Sequence, residues 1–509
     1  MTERQDCDLL IVGGGINGAG IARDAAGRGL KVVLCEQDDL AHHTSSASTK
    51  LIHGGLRYLE HYEFALVRKS LREREVLLGI APHIIQPLRF ILPHVRQLRP
   101  AWMIRSGLFL YDHLGGRRKL PASQGVRLRE HPAGEPLRPG LTKGFAYSDC
   151  WVQDARLVVL NAMDAAERGA AILPRTRCTA AQREQDGWTV TLQSTIDGRE
   201  SRVRARAIVN AAGPWASRFL DDRLGMHSDH DVQLVKGSHI VVPRLYKHDN
   251  AYIFQHTDGR IVFAIPYERD FTLIGTTDVA YTGDPSAAEA STEEVQYLCD
   301  AVNAYFATPV RPADVVHTYA GVRPLYDEER GGNASSISRG YSLQLDRAGA
   351  PLLSVLGGKL TTYRTLATET LAELSGPLGI EDADWTGSCA LPGGDITDGD
   401  FDAFLADVRR RYPWLPDTMT ERLTHGYGTR IHRILGDARE TEHLGEHFGA
   451  DLYEAELRYL MQHEWAMTAE DVLWRRTKLG LVLDSTEAAR VETWMTGPAG
   501  VSEREAASR

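Results

Sequence analysis

Residues 8–36 constrain the fold of this 509-residue chain more than any other stretch. A short apolar run, 8–12, leads into Gly13-Gly14-Gly15-Ile16-Asn17-Gly18, and residues 19–28 then carry helical spacing up to Gly29. Residues 31–35 read as a second strand, closed by Glu36. Glycines at 13, 15 and 18 permit a tight turn and let a pyrophosphate approach the backbone. The helix they open offers N–H donors and the positive end of its dipole. Glu36 lies 18 residues past Gly18, where a carboxylate can accept hydrogen bonds from a ribose diol. The pattern predicts a β-α-β unit of a parallel sheet that binds a dinucleotide. The alternative, a glycine-rich turn without a ligand, does not explain an acid in register.

Two later runs read as returns to the same sheet. Residues 205–211 lead into Ala212-Gly213-Pro214-Trp215, and 352–356 lead into Gly357-Gly358-Lys359-Leu360-Thr361-Thr362. Between them 232–243, 252–265 and 271–277 are rich in β-branched and aromatic residues, with turn signals such as Asp258-Gly259. These predict a second, antiparallel sheet over the nucleotide-binding one. After about residue 386 the pattern turns helical. Leu391-Pro392-Gly393-Gly394-Asp395 reads as a linker, and Tyr453, Leu457, Leu460, Met461 and Trp465 as one apolar helix stripe.

The chain carries one dinucleotide fingerprint, whereas an enzyme using both FAD and NAD(P)H needs a second. The Gly357-Gly358-Lys359 turn suits a flavin. A reduced flavin carries negative charge at one ring edge, and a helix opening at 359–361 would aim donors at it. A plain strand-to-helix turn with a surface lysine is the alternative. Residues 44–50 (TSSASTK) are almost all small, five of them with hydroxyls, and suit close wrapping of a diphosphate and ring. His53, Arg57 and Tyr58 follow. If this segment is helical, His53 and Arg57 share one face; otherwise they are an incidental pair on a solvated helix start.

Several of these runs resemble FAD-dependent glycerol-3-phosphate dehydrogenases of the bacterial aerobic type. They are GGGINGAGIARDAAGRGL (13–30), TSSASTKLIHGGLRYLEHYEF (44–64), YSDCWVQDARL (147–157), KGSHIVVP (236–243), IGTTDV (274–279), GVRPL (321–325), GGKLTTYR (357–364) and LWRRTKLG (473–480). The likeness spans nearly the whole chain. Ala212 departs from it, since some relatives are expected to carry Thr there. No calcium-loop pattern of the mitochondrial relatives is present.

The resemblance implies an α/β chain, α+β overall. It would comprise a Rossmann-like FAD-binding domain of the glutathione-reductase/D-amino-acid-oxidase type (1–80, 146–225, 340–385), an inserted antiparallel β-sheet substrate domain (81–145, 226–339) and a C-terminal helical cap (395–509). It implies non-covalently bound FAD held by Gly13, Gly15, Gly18, Glu36, Thr44, Ser45, Ser46, Lys50, Ala212, Gly213, Gly357, Gly358, Leu360 and Thr361. The implied reaction is hydride transfer from C2 of sn-glycerol 3-phosphate, with electrons passed to a membrane quinone. A near-dianionic phosphate needs arginine, so Arg57 and Arg323 are the leading cations. A salt bridge from Arg323 to an acid such as Asp327 is the alternative. His53 and His239 compete for the role of base. Lys359 would touch flavin or substrate, and Tyr58 would bond the substrate or merely pack. Rival activities are a glycerol-3-phosphate oxidase using O2, an amino-acid oxidase of the glycine or sarcosine type, and a non-catalytic flavin binder.

Charge bears on partners. Residues 81–145 hold eleven Lys/Arg against three Asp/Glu, and 386–509 hold fourteen against twenty-two, within a net charge of -10. The run from Arg99 to Leu110, with Trp102, Met103, Arg105 and Phe109 and with Arg117, Arg118 and Lys119 nearby, suits an anionic inner-membrane lipid surface. An internal helix with a basic outer face suits it equally. No run approaches 18 apolar residues, the first strand leaves no room for a leader, and the six cysteines form no C-x-x-C pair. The expectation is a cytoplasmic homodimer, peripheral on the inner face of the membrane, with no metal and no nucleic-acid partner.

Overall fold

The computed structural model describes residues 4–95, 100–116, 119–226, 232–256, 259–326, 340–381 and 383–507. Arg4–Val12 is the centre of the first sheet. It pairs in parallel with Glu200–Asn210 on one side and Val32–Cys35 on the other, and Val32–Cys35 pairs in parallel with Ala171–Leu173. Leu352–Gly357 joins Glu200–Asn210 in parallel, and Tyr341–Asp346 adds an antiparallel edge. Both returns read from sequence are therefore strands of this sheet. Leu9, Leu10, Ile11, Val33 and Leu34 are buried on both faces, as crossovers with helices on a parallel sheet demand. Helices Ile16–Gly27, Asp154–Glu167 and Tyr363–Leu378 supply one of the covering layers.

The second sheet runs in the order 279–280, 232–243, 271–275, 261–267, 251–255, 85–93, 143–152, 51–52, with 317–326 also on 232–243. It takes Leu51–Ile52 and Lys143–Val152, which adjoin the cofactor segments in the chain. Thus the 44–50 loop descends directly from the first sheet into the second. Asp258 lies outside the described residues.

A third core, built on Val408, Met419, Leu423, Tyr427, Leu457 and Leu460, belongs to the C-terminal helices. The expected stripe is shorter than it reads. Helix Glu454–His463 buries Leu457, Leu460 and Met461, whereas Tyr453 precedes it. Trp465 lies past its end in left-handed backbone (φ 55°) and packs on the first core. Residues 391–394 are not an exposed linker but buried chain, with Leu391 N–H donating to Ile80 O at 2.9 Å. Among the described residues no helix is long and apolar enough to cross a membrane.

Candidate functional site

A cleft of about 410 Å³ opens along the C-terminal edge of the first sheet, bordered by Gly13, Gly15, Glu36, Thr44, Ser45, Ala212, Gly213, Gly357 and Gly358. Its position outside the strand ends is where open α/β sheets bind nucleotides. The glycines are required by space. A Cβ on Gly13 (φ 113°) would sit 2.4 Å from Ala211 O, and one on Gly358 (φ 102°) 2.7 Å from Asn17 Nδ2. Gly18 lies off the cleft, where a Cβ would meet Gly13 O at 1.9 Å, so it sets the closeness of helix to turn. Asn17 Nδ2 donates to Gly357 O at 3.0 Å and ties the two glycine turns together.

Glu36 ends the second strand. Its Oε2 accepts from Gly14 N at 2.7 Å and its Oε1 from Asp38 N at 2.9 Å. Burial pushes its carboxyl above the usual range. Each oxygen retains a second lone pair for a ribose hydroxyl. His43 and Trp215, which no sequence motif flags, form a wall of the cleft. His43 Nε2 lies 2.9 Å from Asp38 Oδ2, and its ring packs on Trp215 at 4.6 Å. The bond from His43 holds the Asp38 carboxyl below its usual range. These spaces, donors and acid suit a dinucleotide with a flavin ring at the 357–359 end, so the residues present fit FAD.

The 44–50 loop differs in detail from the reading of its hydroxyls as ligands. Ser45 Oγ accepts from Ile16 N at 3.0 Å, which occupies the first helix donor and leaves the next ones of the first turn for an anion. Thr44 Oγ1 donates to Val322 O (2.7 Å), Ser46 Oγ to His43 O (3.1 Å) and Ser48 Oγ to Asp154 (2.8 Å). The hydroxyls therefore shape the loop. Ser46 and Lys50 line a separate cavity on another side of it, not the cleft. Lys50 Nζ, 1% exposed as a residue, bonds Ser46 O at 3.0 Å and both Asp154 oxygens at 2.8 and 2.9 Å. Lys50→Met would strand a buried carboxylate. A loss of about 3–5 kcal/mol in urea unfolding is expected.

His53 and Arg57 do not share a helical face. Gly54 and Gly55 intervene, Gly55 in left-handed backbone (φ 75°), and the helical turn starts only at Leu56. His53 N–H instead donates to Thr361 Oγ1 at 3.3 Å, which pins the segment to the start of the helix after 357–359. Leu360 packs on the first core. Lys359 Nζ lies over the Tyr58 ring at 4.1 Å. Arg57, half-buried, makes no hydrogen bond or ion pair with a described residue. Arg323 lies on the strand His317–Tyr326, and its Nη2 donates to Asp278 Oδ1 (2.7 Å) and Thr277 O (3.0 Å). Asp327, the partner considered from sequence, is outside the described residues. The 357–359 turn is the common neighbour: Tyr58 meets it at Lys359, and a Cβ on Gly357 would come 3.7 Å from Pro324 O, beside Arg323.

His239 is 2% exposed, stacked on Tyr319 at 4.8 Å, with Nε2 at 2.9 Å from Thr49 Oγ1. Burial, then the charges of Lys50 and Arg323, hold its pKa well below the usual 6.5. It is a neutral ring built into the sheet.

Comparison with known proteins agrees with this geometry. The chain is 54% identical to a glycerol-3-phosphate dehydrogenase of Pseudomonas aeruginosa (96% of this chain, 94% of the relative). It is 52% identical to a D-erythritol 1-phosphate dehydrogenase of Brucella abortus (97% and 98%). The crystal structure of a Bacillus halodurans glycerol-3-phosphate dehydrogenase complexed with FAD superimposes with a TM-score of 0.78 at 29% identity (99% and 94%). Residues 385–505 match the C-terminal domain of alpha-glycerophosphate oxidase. Residues 8–364 match the FAD dependent oxidoreductase family, and the chain belongs to that family, with FAD as its cofactor.

Proposed function

We propose that the chain oxidises sn-glycerol 3-phosphate to dihydroxyacetone phosphate. What supports this reading is that the segments carrying two arginines both reach the 357–359 turn, the Arg57 segment through Tyr58 at Lys359 and the Arg323 segment through Pro324 O at Gly357, with Arg323 itself oriented by Asp278. Two planar guanidinium groups suit a dianionic phosphate and would fix which carbon faces the ring. Bound FAD supplies the hydride acceptor. The chain's own residues hold the phosphate, exclude water and take the C2 hydroxyl proton.

Of the two candidate bases, His239 has its Nε2 at a threonine hydroxyl, and burial holds its pKa well below the usual 6.5, away from the neutral range that suits a base. His53 takes the role. His53→Ala is expected to lower kcat by about 10²–10⁴-fold with FAD still bound. It should also remove the acid limb of the pH–rate profile. His239→Asn should leave that limb in place. The reverse pattern would assign the proton to His239.

The Brucella relative favours a second reading, a longer phosphorylated polyol. Steady-state kcat/KM for sn-glycerol 3-phosphate against D-erythritol 1-phosphate decides. At least a tenfold preference for the three-carbon substrate is expected, and a tenfold preference for the other overturns the assignment.

The acceptor in this reading is a membrane quinone, reached by peripheral attachment to the inner face of the cell membrane. Helix Ala101–Leu114 supports it. Only Leu108 and Tyr111 are buried, while Trp102 is 68% and Phe109 54% exposed, and Tyr62, 80% exposed, ends the adjoining helical turn. Arg99, Arg117 and Arg118 lie outside the described residues, so their charge is argued from sequence. Replacing Arg117, Arg118 and Lys119 with Ala should weaken binding to anionic vesicles about 100-fold, at about 1 kcal/mol per charge. Unchanged binding removes this segment. Stoichiometric peroxide release would instead show an oxidase.

A further inference from the structure

The C-terminal helical region takes no part in the chemistry above, and among the described residues none beyond Gly358 lines the FAD cleft. Its 464–478 segment nevertheless reaches the nucleotide end of that cleft through buried ion pairs. Asp39, 1% exposed and three residues past Glu36, accepts from Arg475 Nε at 2.6 Å and from Arg476 Nη1 and Nη2 at 2.8 and 2.9 Å. Arg476 Nη2 also donates to Glu464 O at 2.7 Å, and Arg475 Nη1 to Glu470 at 2.7 Å. Arg475 pairs with Asp471 as well. Asp471, in turn, accepts from Arg175 Nη2 at 2.8 and 3.0 Å.

Asp39 and Arg175 sit in the two stretches that border Glu36. From the first, Ala41 N–H donates to Gly14 O at 3.1 Å. From the second, Arg175 N–H donates to Asp38 O at 2.8 Å and Thr176 N–H to Glu36 O at 2.7 Å. Arg175 has left-handed backbone (φ 51°), and Thr176 and Arg177 line the cleft. A ring of contacts thus runs from the turn that holds the pyrophosphate, through Glu36, to the far end of the chain and back. Although burial pushes the Asp471 carboxyl up, Arg476, Arg175 and Arg475 pull it down to about 2, so this carboxylate stays ionised at neutral pH.

The geometry points to a further role for this region: Arg475, Arg476 and Asp471 are positioning residues that hold the 36–43 and 175–177 walls of the cleft, so that FAD binding and docking of the 464–478 segment stabilise each other. The charges are buried in both partners, so undocking would leave Asp39 and Asp471 without their cations. The coupling is reciprocal by thermodynamic necessity. If the segment holds the walls, FAD must in turn hold the segment, which it does not touch.

Hydrogen exchange on the full chain with and without FAD tests this without a mutation. Amides of 468–478 are expected to slow at least tenfold on adding FAD. Protection confined to the stretches lining the cleft overturns the inference. Arg476→Met and Asp39→Asn should each raise the FAD dissociation constant at least tenfold, and the double variant should be less impaired than the two effects combined. A dissociation constant within twofold of the parent's, whatever the change in melting temperature, means that the pairs only stabilise the fold. Should these variants fail to fold, the exchange experiment on the parent decides alone.

Discussion

Gly18→Ala is expected to yield protein without bound FAD and without activity. The new Cβ would sit 1.9 Å from Gly13 O, a backbone atom that cannot rotate away, so the helix must move off the turn by more than 1 Å. Every donor aimed at the pyrophosphate moves with it. An increase in FAD dissociation constant of at least ~10³-fold, or about 4 kcal/mol, is expected, read by fluorescence titration. Gly29→Ala is the control. Gly29, unlike Gly18, has positive φ (84°), but no neighbour lies within 4 Å of its Cβ position. It should cost about 1–2 kcal/mol of stability and leave FAD bound.

Arg323→Ala is expected to lower kcat/KM for the phosphorylated substrate by about 10²–10³-fold, mostly through KM. That is the loss of two charge-assisted hydrogen bonds, at about 1.5–2 kcal/mol each. A merely structural ion pair would behave differently. If Arg323 served only Asp278, then Asp278→Ala would match its effect, since the 2.7 Å bond is lost either way. Contact with the phosphate makes Arg323→Ala the far more damaging change. Arg323→Lys should recover little, because a flexible ammonium lacks the planar fork that matches phosphate oxygens bidentately.

The parts of this site that are legible in the sequence are those whose chemistry is local. Gly13 and Gly18 announce a backbone that no side chain fits, and Glu36 follows at the end of the next strand. The runs 207–211 and 352–356 announce buried parallel strands because neither face meets water. Where the reading went astray, a distant partner or a backbone choice intervened. His53 and Arg57 have helical spacing, but Gly55 adopts a left-handed conformation and breaks it. The hydroxyls of 44–49 look free for a ligand, yet Ser45 takes a helix N–H and Thr44 a carbonyl 278 residues away. Asp39 carries no signal in the sequence; topology alone brings Arg475 and Arg476, 436 and 437 residues on, against it. Residues 391–394 have linker composition, but their glycines let backbone pack on backbone: a Cβ on Gly393 would meet Tyr427 O at 2.3 Å. Composition reports flexibility in an isolated chain, not what lands on it.

The claim underlying all of this is that a phosphorylated polyol, seated by Arg57 and Arg323 against the 357–359 turn, delivers its C2 hydride to FAD. An anaerobic absorption spectrum of the purified protein, before and after one equivalent of sn-glycerol 3-phosphate, tests it most directly. The account expects the visible flavin bands to bleach at once. Unchanged bands, in protein shown to hold FAD, would contradict it.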